Sequence, residues 1–384
     1  MNVPLPVQPE NPARYEPIVQ ELLDKINSEG WSERFNEAIT TAHQSGIVEM
    51  QSTKTLQDYL TFINSLLRWV PSEDWQGKDI YNDLCKFYFV LDQPSVKDLQ
   101  SPVQPEDKKD KLTWLSDWLV RYAIEMGKFL DTPDSITEES LASFKNSPNY
   151  NMDDYIEPRG GWRTFNELFA RNFKPGYRPI AAISDQSVIV SPADSTFDGQ
   201  WEIRADSGVT IKNLHWKISE LLDGSPYQDR FNNGIFMHSF LGPNDYHRQH
   251  APVGGVVLEA RVIPGQVYLE VIPDPDSQGL KLQRTFDAPD SPGYQFAQAR
   301  GLVVLDTKIG LVAVLPIGMA QVSSVILSVE KGVTLRKGEE LSYFQFGGSD
   351  IILLFEARSN VSLTAQVGTH YKMGNRIGMA YPEV

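Results

Sequence analysis

Part-way along this 384-residue chain the apolar residues change their period, and that change constrains the fold more than any other feature. Up to about residue 150 they keep a helical step. Ile18, Leu22 and Ile26 share one face. Leu56, Tyr59, Leu60, Ile63, Leu66, Leu67 and Val70 form an i, i+3/i+4 stripe that Pro71 ends. Leu112, Leu115, Leu119, Tyr122, Met126 and Phe129 form another, reached through the polar connection Gln100–Lys111. Asn146–Gly161 is the most turn-rich stretch and marks the expected boundary. Beyond it Thr164–Asn172 still reads as helix. From Val188 onward the apolar residues fall into short runs punctuated by Gly and Pro: Val188–Val190, Gly255–Val262, Gln266–Val271, Leu302–Leu305, Gly310–Leu315, Val322–Val329 and Ile351–Phe355. Turns at Lys331-Gly332 and Lys337-Gly338 predict tight antiparallel hairpins over Val329–Ser349. There is no βαβα alternation. The pattern predicts an α+β protein, with a helical domain over residues 1–150 and a β-rich domain of packed antiparallel sheets over 151–384.

Charge excludes some partners. Lys and Arg total 35 against 50 Asp and Glu, a net charge of −15, which repels phosphate backbones and anionic headgroups. Nucleic acid is therefore not an expected partner. The single cysteine, Cys85, precludes an intramolecular disulfide and any multi-cysteine metal site, and its apolar surroundings in Asp79–Leu91 read as a buried structural thiol. The first residues carry no apolar signal-peptide core. Asp306 and Lys308 interrupt the most apolar segment, Gly301–Ala320, short of the ~18 residues that a membrane span needs. These features lead to the expectation of a soluble, cytoplasmic protein with no transmembrane segment.

Three segments carry chemistry-bearing residues. His247 and His250 lie three apart in the polar stretch Gly242–Gly255, beside Asp245. Such a pair suits proton transfer or metal binding, but no third zinc ligand is recognisable nearby, so no metal is expected. Taken alone, the spacing favours two hydrogen-bonded surface or interface histidines. Asp194 follows Ser191-Pro192-Ala193 at a strand-to-turn junction, where it either closes an Asx-turn or orients a histidine. Ser349 follows Phe346-Gly347-Gly348 and precedes the apolar run Ile351–Phe355. For an isolated Gly-Gly-Ser a glycine hairpin turn is a better explanation than a nucleophile. Together the three turns offer a carboxylate, an imidazole and a hydroxyl, the requirements of nucleophilic catalysis. The serine stands before a strand, so a G-x-S-x-G hydrolase elbow fits poorly.

The order of these motifs resembles the phosphatidylserine decarboxylase family of pyruvoyl enzymes. The resemblance runs from Thr164-Phe165-Asn166-Glu167-Leu168-Phe169 and Arg171 through Lys174-Pro175-Gly176, Arg178-Pro179-Ile180 and Ser191-Pro192-Ala193-Asp194. It continues through Phe240–Pro252, with the specific element Asp245-Tyr246-His247-Arg248-Gln249-His250, to Pro316-Ile317-Gly318-Met319 and Phe346-Gly347-Gly348-Ser349. It implies that Ser349 cleaves the Gly348–Ser349 bond and becomes a covalent pyruvoyl group. Asp194, His250 and Ser349 then match the self-cleavage triad, with Asp194 holding the His250 imidazole, and His247 matches the histidine of the decarboxylation step. The pyruvoyl carbonyl would condense with a substrate amine and accept the electrons released as carbon dioxide leaves.

Three positions depart from the common family pattern: Gly347 and Asp350 flank a Gly-Ser bond usually written Leu-Gly-Ser-Thr, and Ser195 stands where Gly is usual. The Gly-Gly-Ser form and the helical extension resemble soluble members that decarboxylate free amino acids, such as the fungal L-tryptophan decarboxylases. The resemblance therefore implies an amino-acid decarboxylase whose partners are a small-molecule substrate and its own two cleavage chains, 1–348 and 349–384, with an oligomer compatible. A phosphatidylserine decarboxylase and a non-catalytic, uncleaved relative are the alternatives.

Overall fold

The structure, a computed structural model, describes residues 15–105, 111–211, 213–274, 286–287, 293–320, 324–346 and 349–382. Its N-terminal part is helical: Pro17–Ser28, Ser32–His43, Leu56–Leu66, Asp79–Leu91, Trp114–Leu130 and Glu138–Asn146. Caps set the starts. Thr55 accepts from the Asp58 N–H at 3.1 Å while Asp58 Oδ2 accepts from the Thr55 N–H at 2.8 Å, a closed capping box. Thr113 caps the next long helix through the Ser116 N–H, so Leu112 falls outside it. Val19 joins Leu22 and Ile26 on the buried face of the first helix, and Ile18 is only half-buried. Buried aromatics spend their polar tips on backbone carbonyls: Tyr59 on Phe87 (2.9 Å), Tyr122 on Ile63 (2.6 Å) and Trp118 on Ile18 (2.8 Å). Cys85 is buried.

The strands that follow pair antiparallel. The largest sheet has eight, in the order Thr334–Leu335, Gly255–Ile263, Arg300–Thr307, Gly310–Gly318, Ser349–Phe355, Ile235–Leu241, Ser195–Glu202 and His370–Tyr371. A three-stranded sheet of Val325–Leu327, Glu340–Phe344 and Arg248–His250 stands beside it, and another joins Val188–Val190, Arg376–Ala380 and Val361–Leu363. Both faces of the large sheet are covered. Val303, Val314, Ile351 and Leu353 face one apolar cluster, which continues into the helices through Phe87, Trp118 and Phe165. Val304, Ala313, Ile352 and Leu354 face a second cluster with Trp216, Phe231 and Phe296. Burial on both faces explains why Gly310–Gly318 and Ile351–Phe355 read as unbroken apolar runs rather than as alternation.

Several sequence expectations are corrected. Gln266–Val271 forms no strand beyond a bridge at Gln266. Its backbone is satisfied by side chains: the Gln298 amide accepts from the Tyr268 N–H (3.2 Å) and donates to the Tyr268 carbonyl (2.6 Å), and Asp92 Oδ2 accepts from the Val271 N–H (2.8 Å). Helix over Thr164–Asn172 shortens to Phe165–Phe169. Of Val322–Val329, Val325–Leu327 is strand, while Val322 lies outside the described residues. The turns at Gly332 and Gly338 adopt φ of +95° and +82°, but Thr334–Leu335 between them pairs with Gly255 and Val256 of the large sheet, not with its chain neighbours. Among the described residues no helix is long and apolar enough to cross a membrane.

Asp92 ties the helical part to the Val271 segment, and burial pushes its carboxyl from 3.8 up to about 7 despite the bond from Val271. The folded protein therefore binds a proton here that the unfolded chain releases. The associated stability is present below about pH 4 and is lost as pH rises to about 7. Asp92→Asn keeps an acceptor for the Val271 N–H without the ionisation. The variant should melt higher than wild type at pH 7.5, by about 2 °C or more, and the gap should shrink towards pH 4. Thermal melts across that range check it.

Candidate active site

The segment Gly242–His250 is built as a rigid turn followed by a strand. The Asp245 N–H reaches the Gly242 carbonyl at 3.0 Å, and Asp245 Oδ2 accepts from the Gly242 N–H at 2.8 Å. The other carboxylate oxygen meets His370 Nε2 at 2.8 Å, a bond that raises the His370 pKa. Buried Arg171 clamps the turn by donating from Nη2 to the carbonyls of Asn244 (2.8 Å) and Asp245 (3.1 Å). Arg248 then anchors the strand, donating to Ala170 O at 2.7 Å and to both Glu340 oxygens at 2.9 Å.

His247 emerges from this frame fully buried, its ring stacked on Phe169 with centroids 3.8 Å apart. Neither ring nitrogen has a hydrogen bond of good geometry among the described residues, though the Gly242 and Asp245 backbone lies close enough to favour the protonated ring. An unpaired buried polar group is costly and therefore rare, and it marks a site where something else is to be bound. Burial, reinforced by the Arg171 charge, drives the His247 pKa well below 6.5. At neutral pH the ring offers one N–H and one lone pair, not a second proton.

His250 is held on both sides. Nδ1 lies 2.9 Å from the Gly338 carbonyl and Nε2 lies 2.9 Å from the Tyr246 hydroxyl. A carbonyl only accepts, so the proton sits on Nδ1 and Nε2 is the basic nitrogen, accepting from Tyr246. Burial lowers this histidine's pKa from 6.5 as well. The expected bond from Asp194 to His250 is not made. Asp194 accepts from Arg178 Nε at 3.0 Å and from the Met373 N–H at 2.7 Å, because a guanidinium fork matches a carboxylate better than one imidazole N–H does. The two turns are nonetheless joined, since the His250 N–H donates to Pro192 O at 2.8 Å. Asp194 acts on His250 through its field, favouring the protonated ring.

Ser349 heads an interior strand, its backbone opposite Leu241 on one neighbour and Gly318 on the other. Its side chain, with Gly347 and Gly348, lies outside the described residues. Just before them, the Phe346 ring meets Phe169 at 5.5 Å and Phe165 at 5.2 Å. Rings thus run from Phe346 through Phe169 to His247. Just after them, Asp350 is fully buried and accepts from Tyr294 (2.6 Å) and Gln295 (3.2 Å), with His238 Nε2 at 3.3 Å. His238 in turn meets Asp198 at 3.1 Å. Sequence reasoning gave His238, Tyr246, Arg178 and Tyr294 no role. A signal existed for the first: His238 interrupts the apolar run Ile235–Leu241, and a polar residue inside a doubly covered strand needs buried partners.

Residues 165–379 match the family described as phosphatidylserine decarboxylase, more than half of the chain. The chain belongs to the phosphatidylserine decarboxylase family. Phosphatidylserine decarboxylase proenzyme 3 of Schizosaccharomyces pombe is 33% identical over 264 residues, 66% of this chain and 26% of that protein. The proenzyme of Geobacillus kaustophilus is 31% identical, covering 63% of this chain and 88% of its own length. Decarboxylase iboD of Amanita muscaria is 26% identical, covering 65% and 79%. The chain spans about a quarter of the fission-yeast protein and 37% of its rice relative, phosphatidylserine decarboxylase proenzyme 2 of Oryza sativa.

Members of the phosphatidylserine decarboxylase family are carboxy-lyases whose covalent pyruvoyl group derives from a serine on proenzyme cleavage. The residues present here fit such a group: a serine at the head of an interior strand, and a buried imidazole stacked on Phe169, whose ring meets Phe346 edge-on just before that serine.

If His250 is the base for cleavage at this site, His250→Ala should leave mostly whole, inactive chain, whereas His247→Ala should cut at least in part and turn over poorly. The reverse pattern would exchange their roles. Because the His250 pKa lies below 6.5, its base form persists as pH falls. The cleavage rate should stay level from pH 8 to about 6.5 and drop only in more acidic buffer, measured by gel on freshly made precursor.

Proposed function

We propose that the chain is a self-processing, pyruvoyl-dependent decarboxylase of a free L-amino acid, with residues 151–384 as its catalytic domain and residues 1–150 as a helical domain. The observation that carries this reading is the His247 imidazole, sealed from solvent with neither nitrogen in a hydrogen bond of good geometry among the described residues.

In maturation, the Ser349 hydroxyl takes the place of the Tyr246 hydroxyl at His250 Nε2 and gives its proton to that nitrogen, and Oγ attacks the Gly348 carbonyl carbon. The Gly348–Ser349 C–N bond breaks, leaving an ester on Oγ and a free amine on residue 349. A base then removes the Cα proton of residue 349, and the Gly348 carboxylate departs with the Cβ–Oγ electrons. The unsaturated residue takes up water, loses its nitrogen as ammonia and becomes the pyruvoyl terminus of the 349–384 chain. The Gly338 carbonyl keeps His250 in the required tautomer, and the Asp194 field favours the transient imidazolium.

The pyruvoyl carbonyl supplies an electron sink for the bond that breaks as carbon dioxide leaves. His247 relays the proton that replaces carbon dioxide: one nitrogen gives its N–H to the substrate carbon while the other takes up a proton, so the ring stays neutral, a contribution of about 10²–10⁴ in rate. Its apolar wall, Phe169, keeps water from competing for that carbon.

Charge and size support an amino-acid substrate. A net charge of −15 opposes docking on an anionic bilayer. A cleft of about 580 Å³, lined by Trp162, Arg163, Asn166, Arg171, Arg248 and Gln345, borders the histidine segment without His247 or His250 in its lining, and its size suits a small polar molecule. The Amanita relative's name carries no lipid. The names of the fission-yeast and Geobacillus relatives favour the second reading, decarboxylation of phosphatidylserine.

Purified wild-type protein should separate on denaturation into residues 1–348 and 349–384, the shorter with a blocked, carbonyl-bearing terminus, and Ser349→Ala should stay whole. An active wild type that remains one chain would sink the mechanism, and an inactive whole chain would leave the uncleaved, non-catalytic relative. Carbon dioxide release should follow from a panel of free L-amino acids, aromatic ones first. Release from phosphatidylserine vesicles alone would make the lipid the substrate.

A further inference from the structure

The helix Phe165–Phe169 contributes more than the wall behind His247. Asn166, buried on this helix, bridges two groups of opposite hydrogen-bonding character. Its Oδ1 accepts from the Phe346 backbone N–H at 3.0 Å, and its Nδ2 donates to Asp131 Oδ1 at 2.9 Å. A backbone N–H can only donate and a carboxylate can only accept. An asparagine amide therefore bridges them in one orientation, which Asp131 enforces. The same Asp131 oxygen accepts from Gln345 Nε2 at 3.3 Å, so it holds two consecutive residues of the chain that leads to Gly348, one directly and one through Asn166. Asp131 is the C-terminal cap residue of Trp114–Leu130, and Ser135, just beyond it, fixes the Phe165 N–H at 2.9 Å. Trp69, which follows the Leu56–Leu66 helix, packs edge-on against the Phe346 ring at 5.6 Å.

We infer that Asn166, oriented by Asp131, is a positioning residue for self-cleavage, and that the helical part of the chain thereby belongs to the processing apparatus. The inference rests on the self-cleavage reading above. An intramolecular attack by a side chain on the preceding carbonyl depends steeply on how that carbonyl is presented. The clamp fixes the backbone two residues before Gly348, on the side of the bond that the strand pairing of Ser349 does not control.

The test uses full-length chain made by cell-free translation and sampled over time for the 349–384 fragment. Asn166→Asp has the same shape but sets a carboxylate against Asp131. It should cut about tenfold more slowly than wild type, as should Asn166→Ala, at an equal folded fraction by limited proteolysis. Asp131→Asn still offers an amide oxygen to Asn166 and should cut within about threefold of wild type. The double change Asn166→Asp with Asp131→Asn reverses the donor and acceptor and should restore cutting to within about threefold. A packing role alone would tolerate Asn166→Asp and show no rescue. Single Asn166 variants that cut as fast as wild type, or slow variants that the double change leaves slow, would overturn the inference. A wild-type chain that never cuts would instead overturn the self-cleavage reading, and this inference with it.

Discussion

The strand Ser349–Phe355 is hydrogen-bonded along both edges and covered on both faces. Most of what surrounds the reactive junction follows from that confinement. A residue at the head of such a strand cannot shift without breaking a register shared with Gly310–Gly318 and Ile235–Leu241. The chain entering it must therefore be held by something outside the sheet. The three-stranded sheet does part of this by pairing Glu340–Phe344 with the histidine segment, so that the Phe344 N–H reaches the His247 carbonyl at 2.9 Å. One strand pair thereby carries both the chain leading to Ser349 and the segment that holds His247 and His250.

Desolvation sets the chemistry available there. His247 and His250 are both deprived of water, and both are pushed towards the neutral form. Neutral imidazole is the form a base needs and the form a charged guanidinium neighbour tolerates. Both guanidinium groups rest on aromatic faces: Arg171 lies over Tyr155 at 4.3 Å and Arg178 over Phe173 at 3.7 Å. Arg178 neutralises the buried Asp194 carboxylate, which would otherwise be an unpaired charge in the interior. On the other side of the junction, Asp350 is met by Tyr294, Gln295 and His238, so a carboxylate next to the reactive serine is accommodated by hydrogen bonds.

The helical part and the sheet share one apolar cluster, and polar ties reinforce it at Asp92–Val271, Ser135–Phe165 and Asp131–Asn166. The ties join the Asp79–Leu91 and Trp114–Leu130 helices to segments that flank the site. The helices therefore bear on the geometry of residues 345 and 346 as well as on overall stability.

Periodicity alone determined the helices over the first part of the chain and the covered strands later on, because both reflect which faces lose water. The spacing in Gly242–His250 already isolated the two histidines, and Ser349 before an apolar run was visible as a strand head. The strand at Ile235–Leu241 and the absence of one at Gln266–Val271 were not legible, because both depend on distant partners: Ser349–Phe355 for the first, Gln298 and Asp92 for the second. The same limit separated Asp194 from His250. Sequence order brought their turns together, but whether a carboxylate binds an imidazole or a guanidinium depends on which donor lies nearer in space. Arg178 and Gly338 reach these side chains only through tertiary packing, whereas Tyr246 meets His250 from within the same segment. Local spacing records burial, whereas hydrogen-bond partnership is a competition among groups far apart in the chain, and only the folded arrangement decides it.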